Sequence, residues 1–265
     1  MIHDFPTIEA GGEIRILNCL PSEPARLMAS PVRRAGDVSK IEPAFFRPAW
    51  LKIKDQDGRG ACVGHGAGRA VEFVRAIAGE DFGAEGRWQE LSAWDLYARL
   101  CNGWDRGANI LDALEMLAHE GVATNGSVPY GTINPRQIPA AAVAERPGFR
   151  VTLGDRLDSF EAIAEAVAEG DGVAFSVYCG SRFNALDDEG VPPPQRGPAN
   201  HCVFAGGELV RSKKWGLLVG SDNSWGTAWG MGGRFRIANA TIQAQTYFEA
   251  FRVRAATRGG NPPVT

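Results

Sequence analysis

Helical and strand-like patterns occupy different parts of this chain, and that separation is what most restricts its fold. Before residue 125, apolar residues recur at helical spacing. Val63, Ala67, Ala70, Val71, Val74 and Ile77 do so over 62–78, where Gly79 is the stop. Ile110, Ala113, Leu114 and Leu117 do so over 110–120, where Gly121 is the stop. Ser92 is placed as the N-cap of a third helix reaching Leu100. A fourth starts at Asp158, where Glu161 completes a capping-box pattern, and Gly170 closes it. After residue 170 short runs rich in β-branched and aromatic residues take over: 173–178, 202–205, 215–219, 235–237 and 247–253. Residues 51–53 are a further strand candidate. Helices followed by strands, without alternation, predict an α+β fold in two lobes and not an alternating α/β sheet. Gly64, Gly66 and Gly68 fall inside the 62–78 helix, where each costs about 1 kcal/mol against alanine. Another surface is therefore expected to press against that helix.

Residues 1–49 show no such periodicity, and Pro21, Pro24 and Pro31 punctuate them. They read as an extended arm wrapped around a core, or as a short pro-segment. The main domain is expected over 50–255, its left lobe about 50–130 and its right lobe about 131–255, with 256–265 as a flexible tail. Residues 180–198, with Pro192, Pro193 and Pro194, form a long loop. The 265 residues suffice for a large core without disulfide or metal staples. A net charge of −3 gives no reason to expect a nucleic-acid partner. No charge-free apolar run approaches the ~20 residues of a membrane span. Asp4 and Glu9 sit where a cleavable secretion signal would be basic and then apolar. Five scattered cysteines suit a reducing compartment better than a disulfide framework. The expectation is a monomer, cytoplasmic or exported without a cleavable signal peptide, free of membrane and nucleic acid.

The four histidines narrow the chemistry. His3 lies in the arm and His119 on a charged helix end, which leaves His65 and His201. Neither belongs to a zinc-spaced cluster, so no metal is expected. Cys62 stands at the start of the 62–78 helix, where free N–H groups and the helix dipole favour an anion. A thiol there is expected to have a lowered pKa. A nucleophilic cysteine needs a base, and the base needs an orienting acceptor. His201 opens a strand, and Asn223 follows one hairpin later, where an antiparallel return sets the two side by side. Trp225 then shields their bond from water. Gln56, in the turn before Cys62, supplies an amide that with the Cys62 N–H can hold an oxyanion. His65, three residues after Cys62, is either a rival base or filling for an aromatic-lined interface.

These residues resemble those of the papain-like cysteine peptidases. Gln56-Asp57-Gly58-Arg59-Gly60-Ala61-Cys62 is similar to the family's block around its nucleophile, and Asn200-His201-Cys202-Val203 to the block around its histidine. Asn223-Ser224-Trp225-Gly226-Thr227-Ala228-Trp229-Gly230 is close to the family's Asn-Ser-Trp-Gly-x-x-Trp-Gly, and 233–237 continues it. Cys62 and His201 are 139 residues apart, within the roughly 130–150 of this family. The resemblance covers about residues 50–253 and is nearer to bacterial or phage-type members. It implies a helical left lobe, a β-barrel-like right lobe and a cleft between them. It implies peptide or protein substrates, no cofactor, and endopeptidase chemistry through Cys62, His201, Asn223 and Gln56. An acyl transferase or amidase with the same triad and a catalytically silent peptide-binding module are the alternatives. Two departures stand out. Arg59 replaces the cysteine of a usual nearby disulfide, and Val63 replaces the aromatic after the nucleophile. The resemblance also puts Gly107 and Ala108 on a substrate-binding strip. Asn109, Ile110, Ala199 and Cys202 then border the pocket for the second residue before the scissile bond. A rival alignment uses 101–104 for the strip.

Overall fold

The arm begins with a hairpin of β1 (Thr7–Ala10) and β2 (Glu13–Ile16), paired antiparallel from Thr7↔Ile16 to Ala10↔Glu13. A short helix α1 (Pro24–Ala29) follows, with proline in its first turn, where a missing N–H costs nothing. Two short strands then tie the arm to the body. β3 (Val32–Arg33) and β4 (Ala44–Phe45) add to a sheet built by the second half of the chain. This description comes from a computed structural model covering residues 6–10, 12–33, 36–79 and 88–255. His3 and the 256–265 tail lie outside the described residues.

The left lobe is helical: α2 (Cys62–Ile77), α3 (Ala93–Cys101) and α4 (Ile110–His119); the short α5 (Ala140–Glu145) follows, its Ala142 in one apolar cluster with Trp94, Tyr97 and Ala98 of α3. Ser92 caps α3, its hydroxyl accepting from the Asp95 N–H at 3.1 Å. The right lobe holds β5 (Val151–Leu157), α6 (Phe160–Ala168), β6 (Gly172–Val177), β7 (His201–Ser212), β8 (Gly216–Asp222), β9 (Arg234–Ala238), α7 (Asn239–Gln243) and β10 (Ala250–Ala255). Strand order is β3-β5-β10-β6-β7-β8-β9, with β4 on β7. All neighbours run antiparallel except β3 and β5. One apolar core joins α2 and α4 to β6 and β10; a second fills the space between α6 and the sheet. No helix among the described residues is long and apolar enough to cross a membrane.

Three expectations need correction. Residues 51–53 form no strand. Their carbonyls are taken by side chains instead: Leu51 O accepts from Arg47 Nη2 at 2.6 Å, and Lys52 O accepts from Arg69. The cap of α6 is Ser159, which accepts from the Ala162 N–H at 3.2 Å, and not Asp158. Glu161 bonds across to Asn239 at 2.8 Å, so no capping box closes. The strand β5 was not anticipated, because Gly154, Asp155 and Arg156 interrupt its apolar pattern.

The glycines of α2 divide. A Cβ on Gly64 meets Ala93 O at 2.7 Å, and one on Gly66 meets the Cys202 sulfur at 2.7 Å. These let α3 and β7 approach from different directions. At Gly68 the nearest atom is 4.0 Å away, so nothing there requires a glycine. Gly68→Ala is expected to stabilise the fold by about 0.5–1 kcal/mol through helix propensity. Gly66→Ala is expected to cost about 1–3 kcal/mol through overpacking. Urea unfolding of the two variants reads both, and equal shifts of one sign contradict this account.

Charges close the junction of the lobes beneath the helix. Glu72 on α2 is fully buried and paired with Lys54 Nζ and Arg69 Nη1, each at 2.8 Å. Asp222 at the end of β8 pairs with Arg47 Nη2 at 2.8 Å and with Arg69 Nε at 3.4 Å. Such pairs add little net stability but leave an uncompensated charge when broken, so they fix how α2 sits on the sheet.

Candidate active site

Strand pairing sets His201 against Asn223. β7 starts at His201 and β8 ends at Asp222, with Phe204 opposite Asp222 in the ladder. Asn223 follows at once. His201 Nε2 donates to Asn223 Oδ1 at 2.8 Å, and the same oxygen accepts from the Ser224 N–H at 2.8 Å. Trp225 covers the imidazole, ring centres 4.7 Å apart and planes inclined by 32°. All three side chains are buried. With the proton on Nε2, a neutral ring keeps its lone pair on Nδ1. That Nδ1 is buried and has no hydrogen-bond partner among the described residues.

Cys62 is the first residue of α2, and its preceding Ala61 supplies no side-chain cap. Gln56 is buried in the turn ahead of it. Its Nε2 donates to Arg59 O at 2.6 Å and its Oε1 accepts from Ser224 Oγ at 2.7 Å. The Gln56 N–H donates to Ser224 O at 2.9 Å. Ser224 therefore ties the turn of the left lobe to the His201–Asn223 pair of the right. Sequence reasoning passed over it, although it sits inside the quoted Asn-Ser-Trp-Gly run.

The arm lies directly on these residues. Gln56 Nε2 also donates to the carbonyl of Ile16 at 3.2 Å. The main-chain groups of Cys202, Asn18 and Val63 act to lower the Cys62 thiol pKa. Asn18 O accepts from the Ala108 N–H at 3.3 Å, and the Leu20 N–H donates to Ala108 O at 2.8 Å. The Cys19 N–H donates to Asn200 O at 3.0 Å. Residues 16–20 thus span from the left lobe to the right, bonded to Gln56 and Ala108 on one side and to Asn200 on the other. Two residues further, Ser22 donates to Glu249 from both its N–H and its hydroxyl, each at 2.6 Å. Nothing in the arm's sequence beyond its prolines signalled this placement.

The covering changes the electrostatics that the helix start led us to expect. Burial pushes the Cys62 thiol up to about 12, with nearby Cys19 adding to the rise and the three main-chain groups opposing it. Burial pushes His201 down to about 4, against its bond to Asn223. The lowered thiol pKa is thus corrected: with the arm in place, burial favours the neutral form of both the Cys62 thiol and the His201 imidazole. His65 packs edge-on against Trp94, ring centres 5.1 Å apart, and its Nδ1 bonds Ala61 O at 2.9 Å. That is the interface filling and not a free base.

The remaining singled-out residues fall around the arm. Gly107 has φ +78°, and a Cβ there collides with Asn18 O, so a side chain is excluded on two counts. Ala108 bridges Cys19 in parallel fashion. Asn109 caps α4 through the Asp112 N–H at 2.8 Å and accepts from Ser22 Oγ at 3.3 Å. Ile110, the first residue of α4, is fully buried. The Ala199 N–H donates to Tyr247 O at 3.0 Å, and Cys202 packs on Gly66. In the rival 101–104 segment, Gly103 is tied to Ile133 O at 2.8 Å and Trp104 stands 76% exposed.

Comparisons with known proteins agree on one fold. The crystal structure of xylellain, a cysteine protease from Xylella fastidiosa, superposes with a TM-score of 0.72 at 16% identity, over 95% of this chain and 98% of that one. The bromelain protease from Ananas comosus, in complex with the E64 inhibitor, gives 0.57 at 20% identity, over 78% and 94%. A cysteine protease from Carica candamarcensis gives 0.56 at 23% identity, over 78% and 94%. No curated protein sequence matches the chain significantly. The model of the papain family cysteine protease matches residues 47–251. That match spans more than half of the chain, which therefore belongs to the papain family and is a cysteine-type peptidase.

Proposed function

We propose that the chain is a cysteine endopeptidase acting through Cys62, His201 and Asn223, with Gln56 at the oxyanion. The observation that carries this reading is the His201 ring. Asn223 holds its Nε2 at 2.8 Å, and its Nδ1 is left buried with a free lone pair. Nδ1 takes the Cys62 thiol proton as the sulfur attacks a peptide carbonyl carbon. The oxygen, now negative, accepts from Gln56 Nε2 and the Cys62 N–H. The imidazolium returns its proton to the leaving amine as the C–N bond breaks. Water then attacks the thioester, giving its proton to Nδ1, and the sulfur leaves and is reprotonated. Substrate backbone takes the place of Asn18–Leu20 along Gly107 and Ala108, with Asn109, Ile110, Ala199 and Cys202 around the second subsite.

The peptidase domain is 50–255 in this reading, and residues 1–49 are an arm that holds it latent. Gln56 Nε2, the donor assigned to the oxyanion, is engaged by a carbonyl of the arm at 3.2 Å. Cys62 is fully buried, and arm residues Asn18 and Cys19 both act on its thiol. Treatment with a thiol-directed epoxide peptide, followed by mass spectrometry, tests the assignment. The adduct is expected on Cys62, lost in His201→Ala and kept in His65→Ala. Equal labelling of Cys19 and Cys179, or none in any condition, overturns it. Acyl product on an added amine exceeding hydrolysed product assigns a transferase instead.

A further inference from the structure

Apart from the catalytic residues, the arm and the right lobe leave a cavity of about 440 Å³ between them. None of Cys62, His201, Gln56 or the residues assigned to the second subsite lines it. On the arm side stand Pro21, Pro24, Leu27 and Met28. On the lobe side stand Pro198, Tyr247 and Arg156. The walls are almost wholly apolar, and Met28 is 83% exposed. Volume and lining suit a small ligand with an apolar body. Both sides are held from elsewhere. Arg26 of α1 pairs with Asp112 at 2.5 Å and with Glu115 at 2.7 Å, both on α4 of the left lobe. Pro198 bridges Tyr247, and the Arg156 N–H donates to Pro31 O at 2.8 Å.

One charge in this lining is unmet. Arg156 Nε is buried without a hydrogen-bond partner, and no carboxylate among the described residues pairs with the guanidinium. Glu249, bonded to two of the lining residues, is already met: Ser22 donates to it twice at 2.6 Å, and the Tyr247 hydroxyl donates as well. The guanidinium fork matches a carboxylate. The rest of the ligand follows from what the walls lack. Pro21, Pro24 and Pro198 have no N–H, so the carbonyls of a bound peptide would find no donors in them. An alkyl chain needs none. We propose that the cavity binds a medium-chain alkyl carboxylate, its head on Arg156 and its chain against the prolines, Leu27 and Met28, and that this ligand holds the peptidase covered. This rests on the reading of residues 1–49 as a latent cover and adds what stabilises it. Pro21 and Ser22 belong to the covering segment and line the cavity, so lifting that segment removes part of the wall. A ligand that needs both walls binds the covered form alone and draws the population toward it.

The test titrates the full chain, as Cys62→Ala, with decanoate in a calorimeter, below its micelle-forming concentration. Decanol and decyltrimethylammonium serve as neutral and cationic counterparts of the same chain length. Decanoate is expected to bind about tenfold or more tightly than decanol, and the cation not at all. Arg156→Gln keeps the N–H to Pro31 O and removes the charge, so it is expected to weaken decanoate by about tenfold or more and to leave decanol unchanged. In the chain with Cys62 intact, decanoate at about ten times its dissociation constant is expected to slow epoxide labelling of Cys62 about tenfold, since binding to one form multiplies its share by one plus that ratio. The same concentration is expected to slow Arg156→Gln by about twofold or less. No binding, equal binding of the three compounds, or decanoate affinity unchanged in Arg156→Gln overturns the site. Binding that depends on Arg156 but leaves labelling as fast as before overturns the hold on the cover. Failure of Cys62 to label without any ligand overturns the catalytic assignment instead, and the calorimetry still decides the site.

Discussion

Replacing His201 with alanine is expected to reduce peptide hydrolysis by about 10⁴-fold, the upper range for loss of a general acid–base group. Two functions go at once. The thiol loses the group that takes its proton, and the departing amine loses its proton donor. The structure gives a finer version of the same experiment. Asn223 Oδ1 is the acceptor for His201 Nε2, and Trp225 covers that bond. Asn223→Ala keeps the imidazole but frees it to rotate and to change tautomer. A smaller loss, about 10–10²-fold, is expected, because a base that is present but unoriented still serves part of the time. Steady-state hydrolysis of a fluorogenic peptide by reduced protein measures both. The loss belongs in kcat, since neither residue is assigned to hold substrate. An Asn223→Ala variant as inactive as His201→Ala contradicts the division of labour.

Acid is expected to destabilise the covered form by several kcal/mol. His65 and His201 are both buried and both pushed from 6.5 down to about 4, burial being the first cause in each. Unfolded, each imidazole takes up a proton below about 6.5; folded, each does so only below about 4. Across that interval the unfolded chain binds more protons, so stability falls as pH falls. The contribution is complete above 6.5 and is lost progressively on the way to 4. Each histidine accounts for roughly 3 kcal/mol at 1.36 kcal/mol per pH unit. For His201 the chain has an intermediate course open to it. Lifting residues 16–20 admits water to the ring without unfolding the sheet. Urea midpoints between pH 7.5 and 4, with proteolytic nicking of residues 6–22 in parallel, check both parts. A flat midpoint, or a steep one unchanged in His65→Gln, contradicts the account.

Much of the scaffold was readable from local chemistry. The period of apolar residues, Ser92 as a cap, and glycine stops at 79, 121 and 170 mark helix limits that depend on near neighbours alone. Cys62, His201 and Asn223 were singled out because their surroundings resemble ordered blocks of sequence, and the membership of the family that those blocks implied was legible from them. What escaped is set by contacts far apart in the chain. β5 is a strand because β10 and β3 flank it, although its own residues alternate poorly. The 51–53 run has strand composition, but Arg47 and Arg69 take its carbonyls first. The pKa of Cys62 was misjudged for the same reason. A helix start lowers it, but segment 16–20, more than forty residues earlier in the chain, removes the water on which that lowering depends.

The two arm strands have a consequence for kinetics. β3 and β4 are paired with β5 and β7 independently of the bonds made by residues 6–22, so in the proposed reading the covering segment acts as a competitor leashed to its target. It cannot be diluted away. Any incoming peptide binds only the uncovered fraction of molecules, and its apparent dissociation constant is the intrinsic one divided by that fraction. The leash therefore weakens the apparent binding of every peptide by one common factor and leaves the ratios between peptides unchanged.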